Sequence, residues 1–255
     1  MPKKKYGQNF LINNELINQI ISLEKIKNNN ILEIGSGNLA LTKKIYENKP
    51  KKFFSIEIDK DLVEKYKKHT LSTHIINEDA LKINEFDFFN KENFSIISNL
   101  PFNISTHLLI KWLKMQNNYN CINSMTLMFQ KELAERIVAK ENSKKYGRIS
   151  ILSKAFFEIE KKLDIKKENF SPIPKVDAIV LKFTALKNNL IDKQDFPKLE
   201  KITLKFFNER RKKNIKKIKM FFNSDQIKNQ GLEKYFSLRA ENLCNKTYYK
   251  LAKIL

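Results

Sequence analysis

Hydrophobic and polar positions follow a regular order along the first two thirds of the chain. Short runs of apolar, β-branched and aromatic residues, typical of buried strands, alternate with longer stretches that have apolar residues three and four positions apart, typical of helices. The strand-like runs are Ile31–Ile34, Phe53–Ile58, His74–Ile76, Phe94–Ser98, Met125–Phe129 and Ala178–Phe183. The helical patterns are Asn13–Leu23, Ala40–Tyr46, Asp61–Lys68, Ser105–Met115 and Lys131–Ala139. Repeated strand–helix units predict an α/β fold with a mostly parallel sheet covered on both faces.

The pattern changes after about residue 185. From Phe196 to Leu255, helical patterns follow one another without strands between them, and the polar stretch Leu186–Gln194 is the expected hinge. A further helical stretch is expected to end near Asn169. The 255 residues are enough for one α/β domain, residues 1–185, and a small all-helical domain, residues 186–255.

The chain is strongly basic, with 49 Lys and Arg against 28 Asp and Glu and a formal net charge of +21. This surplus favours a polyanionic partner, nucleic acid or an anionic membrane, although a solvated surface with biased composition is the alternative. No apolar run is long enough to span a membrane, and basic Met1–Lys5 is not followed by the apolar core of a signal peptide. Cys121 and Cys244 stand alone, which predicts neither a metal site nor a disulfide scaffold. We expect a cytoplasmic protein.

A tight glycine turn follows the first predicted strand, in the stretch Ile31–Ala40. Gly35 and Gly37 leave the backbone open to a ligand at the carboxyl end of a strand, where open α/β sheets bind ligands. Glu57 ends the second strand 22 residues after Gly35, a spacing at which a carboxylate binds a ribose. Asp79, past the third strand, is a candidate acceptor for an adenine amino group. The third glycine of a dinucleotide fingerprint is missing, which disfavours NAD and leaves S-adenosylmethionine as the expected cofactor. An ordinary strand-to-helix turn and a solvated turn aspartate are the alternatives.

The most specific motif is Asn99-Leu100-Pro101-Phe102, at the end of the fourth predicted strand. An exocyclic adenine nitrogen is a poor nucleophile, so it needs acceptors that hold its hydrogens and favour a pyramidal nitrogen. The Asn99 side-chain oxygen and the carbonyl before or at Pro101 are candidates. Phe102 offers a ring on which an extruded base stacks. The motif therefore predicts methylation of adenine without a metal, and a strand-ending turn with a buried Phe is the alternative.

Basic residues crowd a predicted helix in the C-terminal domain. Its apolar residues Ile215, Ile218 and Phe222 are expected to face away from the cationic side chains. A cationic stripe of this kind suits the phosphates of RNA, and a merely solvated face or a membrane-surface helix is the alternative. The stripe consists of Arg210, Arg211, Lys212, Lys213, Lys216, Lys217 and Lys219.

Nearly end to end, the sequence resembles the KsgA family, the adenine dimethyltransferases of small-subunit ribosomal RNA. The first three matching blocks are shared with the erythromycin-resistance methyltransferases of large-subunit rRNA, whereas the last four are much more like the small-subunit family. The blocks are Tyr6–Leu11, Glu33–Gly37, Asn99–Ser105, Phe129–Glu132, Tyr146–Arg148, Phe170–Asp177, Phe207–Lys212 and Arg239–Asn242.

The resemblance implies a Rossmann-like S-adenosylmethionine-dependent domain with a small helical RNA-binding domain. It implies that Asn9 and Leu11, in an N-terminal arm, close over the cofactor, and that Phe170 lies near the target base, although a core Phe is the alternative there. It also implies that Gly35 lines the cofactor, that Glu57 holds its ribose and that Asp79 holds its adenine. Asn99 would touch both cofactor and base. Two departures stand out: Ser36 replaces a common Pro, a surface change of little expected consequence, and Phe102 replaces Tyr and loses its hydroxyl.

The expected reaction is dimethylation of N6 of two adjacent adenosines in the 3′-terminal hairpin loop of 16S rRNA, within an immature small ribosomal subunit and by a monomeric enzyme. The particular adenosines come from the resemblance alone. Two alternatives stay open: a large-subunit rRNA methyltransferase that confers macrolide resistance, and a non-catalytic ribosome assembly factor.

Overall fold

The structure is a computed structural model and describes residues 6–255. Met1–Lys5, the basic residues considered for a signal peptide, lie outside the described residues. No helix in the described part of the chain is both long enough and apolar enough to cross a membrane.

A mostly parallel sheet lies at the centre of the α/β part of the chain. The strands are β1 (Phe10–Leu11), β2 (Asn30–Ile34), β3 (Lys52–Glu57), β4 (Ile75–Asn77), β5 (Phe94–Asn99), β6 (Ile122–Gln130), β7 (Phe157–Ile165), β8 (Phe170–Ser171) and β9 (Ala178–Ala185). Within residues 6–255, seven of them form one sheet in the order β4-β3-β2-β5-β6-β9-β7. The first five strands in this order, from β4 through β3, β2 and β5 to β6, pair with their neighbours in parallel. Strand β9 pairs antiparallel to β6. The chain order reverses between β2 and β5, the position at which such sheets bind ligands.

Helices connect these strands and follow them. They are α1 (Asn14–Ser22), α2 (Ala40–Glu47), α3 (Lys60–Lys65), α4 (Glu85–Phe88), α5 (Ser105–Tyr119), α6 (Lys131–Val138), α7 (Arg148–Lys154), α8 (Phe196–Asn208), α9 (Ile215–Phe221), α10 (Ser224–Asn229) and α11 (Asn245–Ile254). Helix α1 shows how residues close together in the sequence specify a helix. The Asn13 side chain caps it by accepting from two backbone N–H groups, and Ile17, Ile20 and Ile21 at helical spacing are buried against the sheet.

The hydrophobic pattern located every predicted strand and helix of the first 140 residues to within a few residues. One expectation was wrong. The segment before Asn169 is strand β7 followed by a single 3-10 turn, Lys167–Asn169, rather than a helix. Strand β7 lies at the edge of the sheet and most of its side chains are exposed or half-buried, so it lacks the continuous apolar pattern of a buried strand. Helix α7 and the short strands β1 and β8 had not been predicted at all.

The chain forms two compact units. Among the described residues, the first contains residues 6–134 and 159–185, and the second contains residues 135–158 and 186–255. The expected boundary after residue 185 is therefore one of the three points at which the chain passes from one unit to the other, but residues 135–158 group with the helical unit instead of the α/β unit. Local contacts account for this: Tyr249 Oη donates to the Ile151 carbonyl over 2.9 Å, and Phe156 packs edge-on against Phe196.

Candidate active site

The glycine turn after β2 has the open backbone that the sequence predicts. Gly35 and Gly37 have positive φ angles of 80° and 51°, which glycine adopts without strain. The Gly35 N–H donates to the Ile56 carbonyl over 2.7 Å and ties the turn to β3. A Cβ added to Gly35 would meet no protein atom within 4 Å, so this backbone faces open space. A Cβ on Gly37 would lie 2.9 Å from the Phe10 ring, so the second glycine makes room for that ring.

Glu57, the last residue of β3, holds the turn from the neighbouring strand. Its carboxylate accepts the Gly37 N–H over 3.0 Å through one oxygen and the Asp59 N–H over 2.9 Å through the other. Burial raises the pKa of Glu57, and the two backbone hydrogen bonds act in the opposite direction. The carboxylate also lines the cleft, where its oxygens can accept further hydrogen bonds.

Ser36 lies between the two glycines and is 3% exposed. The expectation that this departure from the family is a surface change was wrong. Its hydroxyl lies 3.5 Å from a Glu57 oxygen, and its carbonyl accepts the Leu39 N–H over 2.7 Å. The hydroxyl of Thr42, in α2, lies 3.5 Å from the Ser36 carbonyl, so α2 is close to this residue.

Asp79 follows β4, in the turn that precedes α4. One carboxylate oxygen accepts the Leu81 N–H over 3.0 Å, and the other lies 3.8 Å from the Lys82 ammonium. About a quarter of its side chain is exposed, 26%, and Asp79 lines the same cleft as Gly35 and Glu57.

Asn99 ends β5 beside the glycine turn, because β5 pairs with β2. Its side-chain Nδ2 donates to the Asn9 carbonyl over 2.9 Å. In the turn that follows, the Pro101 carbonyl accepts the Ile104 N–H over 3.2 Å. The carbonyls of Leu100 and Pro101 were both candidate acceptors for the adenine amino group. The Leu100 carbonyl is the one that does not accept this turn hydrogen bond.

The ring of Phe102 lies at the edge of the cleft and packs edge-on against Phe170, with 6.4 Å between ring centroids. Phe170 itself is 1% exposed and belongs to the core, where β8 pairs with β1 and sets it opposite Leu11. The expected direct contact of Phe170 with a base is not supported, because its ring is covered by its neighbours. Phe170 instead supports the ring of Phe102.

One cleft of about 650 Å³, including its open mouth, brings the predicted residues together. Leu11 is the one predicted cofactor residue outside it: its side chain is buried and lines a smaller recess beside the glycine turn. The predicted residues that line the cleft are Asn9, Gly35, Glu57, Asp79, Asn99, Leu100, Pro101 and Phe102.

Sequence reasoning missed several lining residues, chiefly in the N-terminal arm. Tyr6, Gly7, Gln8 and Phe10 line the cleft, and so does the exposed side chain of Ile58. The matching block Tyr6–Leu11 was the available signal for the arm. Nothing in the local pattern indicated Ile58, because its exposure depends on which elements surround it. Within residues 6–255, no three His, Cys, Asp or Glu side chains group as metal ligands would.

Glu33 is a buried carboxyl behind the turn. Its Oε2 accepts the Thr42 and Ser55 hydroxyls, each over 2.8 Å, so it joins β2 to α2 and β3. Burial raises its pKa from 4.5 to about 8, the nearby Glu57 charge adds to this, and the two hydroxyls oppose it. Folded Glu33 therefore binds a proton that the unfolded chain releases above pH 4.5.

The free energy of unfolding should consequently fall as the pH rises from 4.5 to about 8, and Glu33→Gln should remove that part of the slope. Urea titrations at about pH 5 and about pH 8 measure the slope in both proteins. An equal slope in the variant would contradict a protonated Glu33.

The basic residues of the second unit do not form one helical stripe, which corrects the sequence-based prediction. Helix α8 ends at Asn208 and α9 begins at Ile215, so residues 210–213 lie in the connection between them. Lys217 is 1% exposed. Its ammonium donates to the carbonyls of Phe206, Glu209 and Lys212 over 3.0 to 3.1 Å, and so binds the last turn of α8 and the connection that follows it.

Lys217 is thus unsuited to phosphate contact, and burial lowers its pKa. Arg210 is half-buried, pairs with Glu241 over 2.6 Å and donates to the Ser143 carbonyl. The exposed basic residues left on this surface, which we call the basic patch, are Arg211, Lys212, Lys213, Lys216 and Lys219.

Comparisons with known proteins identify the family of the chain. The family profile described as "Ribosomal RNA adenine dimethylase" matches residues 2–253. The chain is 41% identical over 252 residues to "Ribosomal RNA small subunit methyltransferase A" of Pelagibacter ubique (strain HTCC1062), with 98% of this chain and 95% of the relative covered. It is 38% identical to the protein of the same name from Mycoplasmopsis pulmonis (strain UAB CTIP), with 98% and 97% covered.

The fold matches that of solved structures. A dimethyladenosine transferase from Plasmodium falciparum superimposes with a TM-score of 0.79 at 25% identity, with 95% of each chain covered. The 23S rRNA methyltransferase ErmE superimposes with a TM-score of 0.71 at 20% identity, with 97% of this chain and 99% of the other covered, a likeness of fold alone. Together with the cleft in which Gly35, Glu57 and Asn99 meet, these matches establish that the chain is a methyltransferase that belongs to the ribosomal RNA adenine dimethylase family.

Proposed function

We propose that this chain dimethylates N6 of two adjacent adenosines in the 3′-terminal hairpin loop of small-subunit 16S rRNA, with S-adenosylmethionine as methyl donor. One observation carries the proposal: the Asn99 side chain lies in the same cleft as the open glycine turn and Glu57. Relatives that match nearly the whole chain are named as small-subunit methyltransferases, which favours that subunit over the large one. We further propose that the enzyme acts as a monomer, in the cytoplasm, on an immature small subunit.

The polar groups of the cleft suit S-adenosylmethionine. Gly35 leaves the room that a side chain would fill, and Glu57 offers carboxylate oxygens to two ribose hydroxyls. Asp79 is an acceptor for the adenine amino group. Asn9 belongs to the arm above the cleft, and Leu11 anchors that arm by its burial in the core. When bound, S-adenosylmethionine supplies an electrophilic methyl group on a sulfonium sulfur.

The Asn99-Leu100-Pro101-Phe102 turn would receive the target base. The Asn99 Oδ1 and the Leu100 carbonyl accept the two hydrogens of the amino nitrogen, which directs its lone pair along the line of displacement. Phe102 stacks on the base, and Phe170 holds the Phe102 ring from behind. Pro101 stiffens the loop that carries these groups.

Loss of the gene should remove dimethyladenosine from the 16S rRNA of the host, and the purified enzyme should restore it on immature small subunits from that strain. Mass spectrometry of nuclease-digested rRNA measures both. Dimethyladenosine lost from 23S rRNA instead, with macrolide protection of a sensitive host, would support the large-subunit alternative. Binding to subunits without methyl transfer would support the assembly factor.

The basic patch is the proposed binding surface for rRNA phosphates. Neutralising Arg211, Lys212, Lys213 and Lys216 to Gln should weaken subunit binding and lower the log–log salt slope by about 0.7 to 0.9 for each phosphate that the protein no longer neutralises. Arg210 and Lys217 are left intact because both are bonded within the fold. Filter binding at several salt concentrations measures the slope.

The matched control removes four exposed charges from the first unit, at Lys43, Lys49, Lys65 and Lys68. Its salt slope should fall less, and both proteins should bind S-adenosylmethionine as the unaltered enzyme does. A patch variant with an unchanged slope would mean that the RNA binds elsewhere.

A further inference from the structure

The orientation of the Asn99 amide is decided by the N-terminal arm. A carbonyl oxygen accepts hydrogen bonds and cannot donate them, so the Asn9 carbonyl must face the nitrogen end of the Asn99 side chain. The observed Nδ2-to-carbonyl distance of 2.9 Å meets this requirement. The oxygen end is then the one presented to a base. A rotated amide would present donors to an amino group that is itself a donor.

The arm is seated at several points around the cleft. The Gln8 side-chain Nε2 donates to Oδ2 of Asp59 over 2.9 Å. A Cβ on Gly7 would lie 2.8 Å from the Asn103 side-chain oxygen, and Phe10 packs on Gly37. The contact of Gln8 with Asp59 is a hydrogen bond from an amide to a carboxyl group, and such bonds to ionised carboxylates are among the stronger ones.

Asp59 is a rigid anchor for Gln8. It is buried, its Oδ1 accepts the Asp61 N–H at the start of α3, and its own N–H donates to Glu57. The Gln8 side chain therefore fixes the arm to the element that carries the ribose acceptor. The next residue along the chain, Asn9, fixes Asn99 through its carbonyl. Two adjacent residues connect the cofactor half of the cleft to the base half.

We propose that Gln8 is a positioning residue for methyl transfer: by binding Asp59, it holds the Asn9 carbonyl in the position that orients the Asn99 amide. This inference rests on the proposed function. It predicts that the arm acts on the rate of the chemical step more than on the binding of either substrate, because the amide oxygen matters most as the nitrogen becomes pyramidal.

Gln8→Met keeps the length of the side chain and removes the donor. We expect the single-turnover rate on immature small subunits to fall between about tenfold and about a hundredfold, as for a catalytic group displaced by about 1 Å. The dissociation constants for S-adenosylmethionine and for the subunits should change by less than about threefold. Gln19→Met, on the exposed face of α1, is the matched control and should keep the full rate.

A charge exchange separates positioning from general stability. Gln8→Glu alone brings a second carboxylate to Asp59 and should lose at least as much rate as Gln8→Met. Gln8→Glu combined with Asp59→Asn restores one hydrogen bond, with donor and acceptor exchanged, and keeps an oxygen for the Asp61 N–H. The double variant should regain most of the rate lost by Gln8→Glu.

Each result is decisive for the inference. A full rate in folded Gln8→Met, a loss confined to cofactor binding, or a double variant no faster than Gln8→Glu would overturn it. All three presuppose that the unaltered enzyme methylates adenine in 16S rRNA. If it does not, the proposed function fails first, and that outcome is recognised before any variant is made.

Discussion

Asn99→Ala should nearly abolish methyl transfer while leaving RNA affinity close to normal. The side-chain oxygen of Asn99 would accept a hydrogen of the reacting nitrogen, and this bond strengthens as the nitrogen becomes pyramidal. Loss of one such acceptor costs about two to three orders of magnitude in rate. Single-turnover methylation of immature small subunits measures the rate, and filter binding measures the affinity.

Phe102 provides the contrast because it holds the base without bonding to the reacting atom. Phe102→Ala should lose about 1 to 3 kcal/mol of stacking and slow methylation through a poorly ordered base. Phe102→Tyr should stay active, since the ring face and its edge-on packing against Phe170 are kept. Near-normal turnover by Asn99→Ala would refute the mechanism, and an inactive but folded Phe102→Tyr would show that the pocket has adapted to Phe.

Glu57→Ala should weaken S-adenosylmethionine binding by about 1.5 to 3 kcal/mol, because the ribose hydroxyls lose a charged acceptor. The structure adds a second cause. Gly37 and Asp59 also lose the acceptor of their N–H groups, so the glycine turn loses a support. Isothermal titration calorimetry measures the affinity, and thermal unfolding separates weaker binding from a damaged fold.

Glu57→Gln should fail as well, although it keeps the size of the side chain. Both carboxylate oxygens accept backbone N–H groups, so the amide nitrogen of Gln would face a donor whichever way it turned. Glu47→Ala, on the exposed surface of α2, is the control for loss of a carboxylate. An unchanged dissociation constant in folded Glu57→Ala would remove Glu57 from the cofactor site.

The sequence by itself determined most strands and helices of the first 140 residues, the glycine turn and the motif around Asn99. These features depend on residues close together along the chain. They follow from the spacing of apolar residues, from the glycines after β2 and from the polar residues that end β3 and β5. Because parallel strands end at one edge of the sheet, correct local elements were enough to bring Gly35, Glu57 and Asn99 into one cleft.

Only the tertiary structure decided which of these residues are covered and which face the cleft. The sequence suggests that Lys217 is one more exposed lysine, but its ammonium binds backbone carbonyls at the end of α8. It also suggests that Phe170 contacts the base, but the pairing of β1 with β8 places this ring in the core. The contact of Gln8 with Asp59 joins residues 51 positions apart, and that of Asn99 with Asn9 joins residues 90 positions apart. Periodicity and turn chemistry act over a few residues, whereas burial and hydrogen-bond partners depend on which distant segments pack together, and that depends on the whole fold.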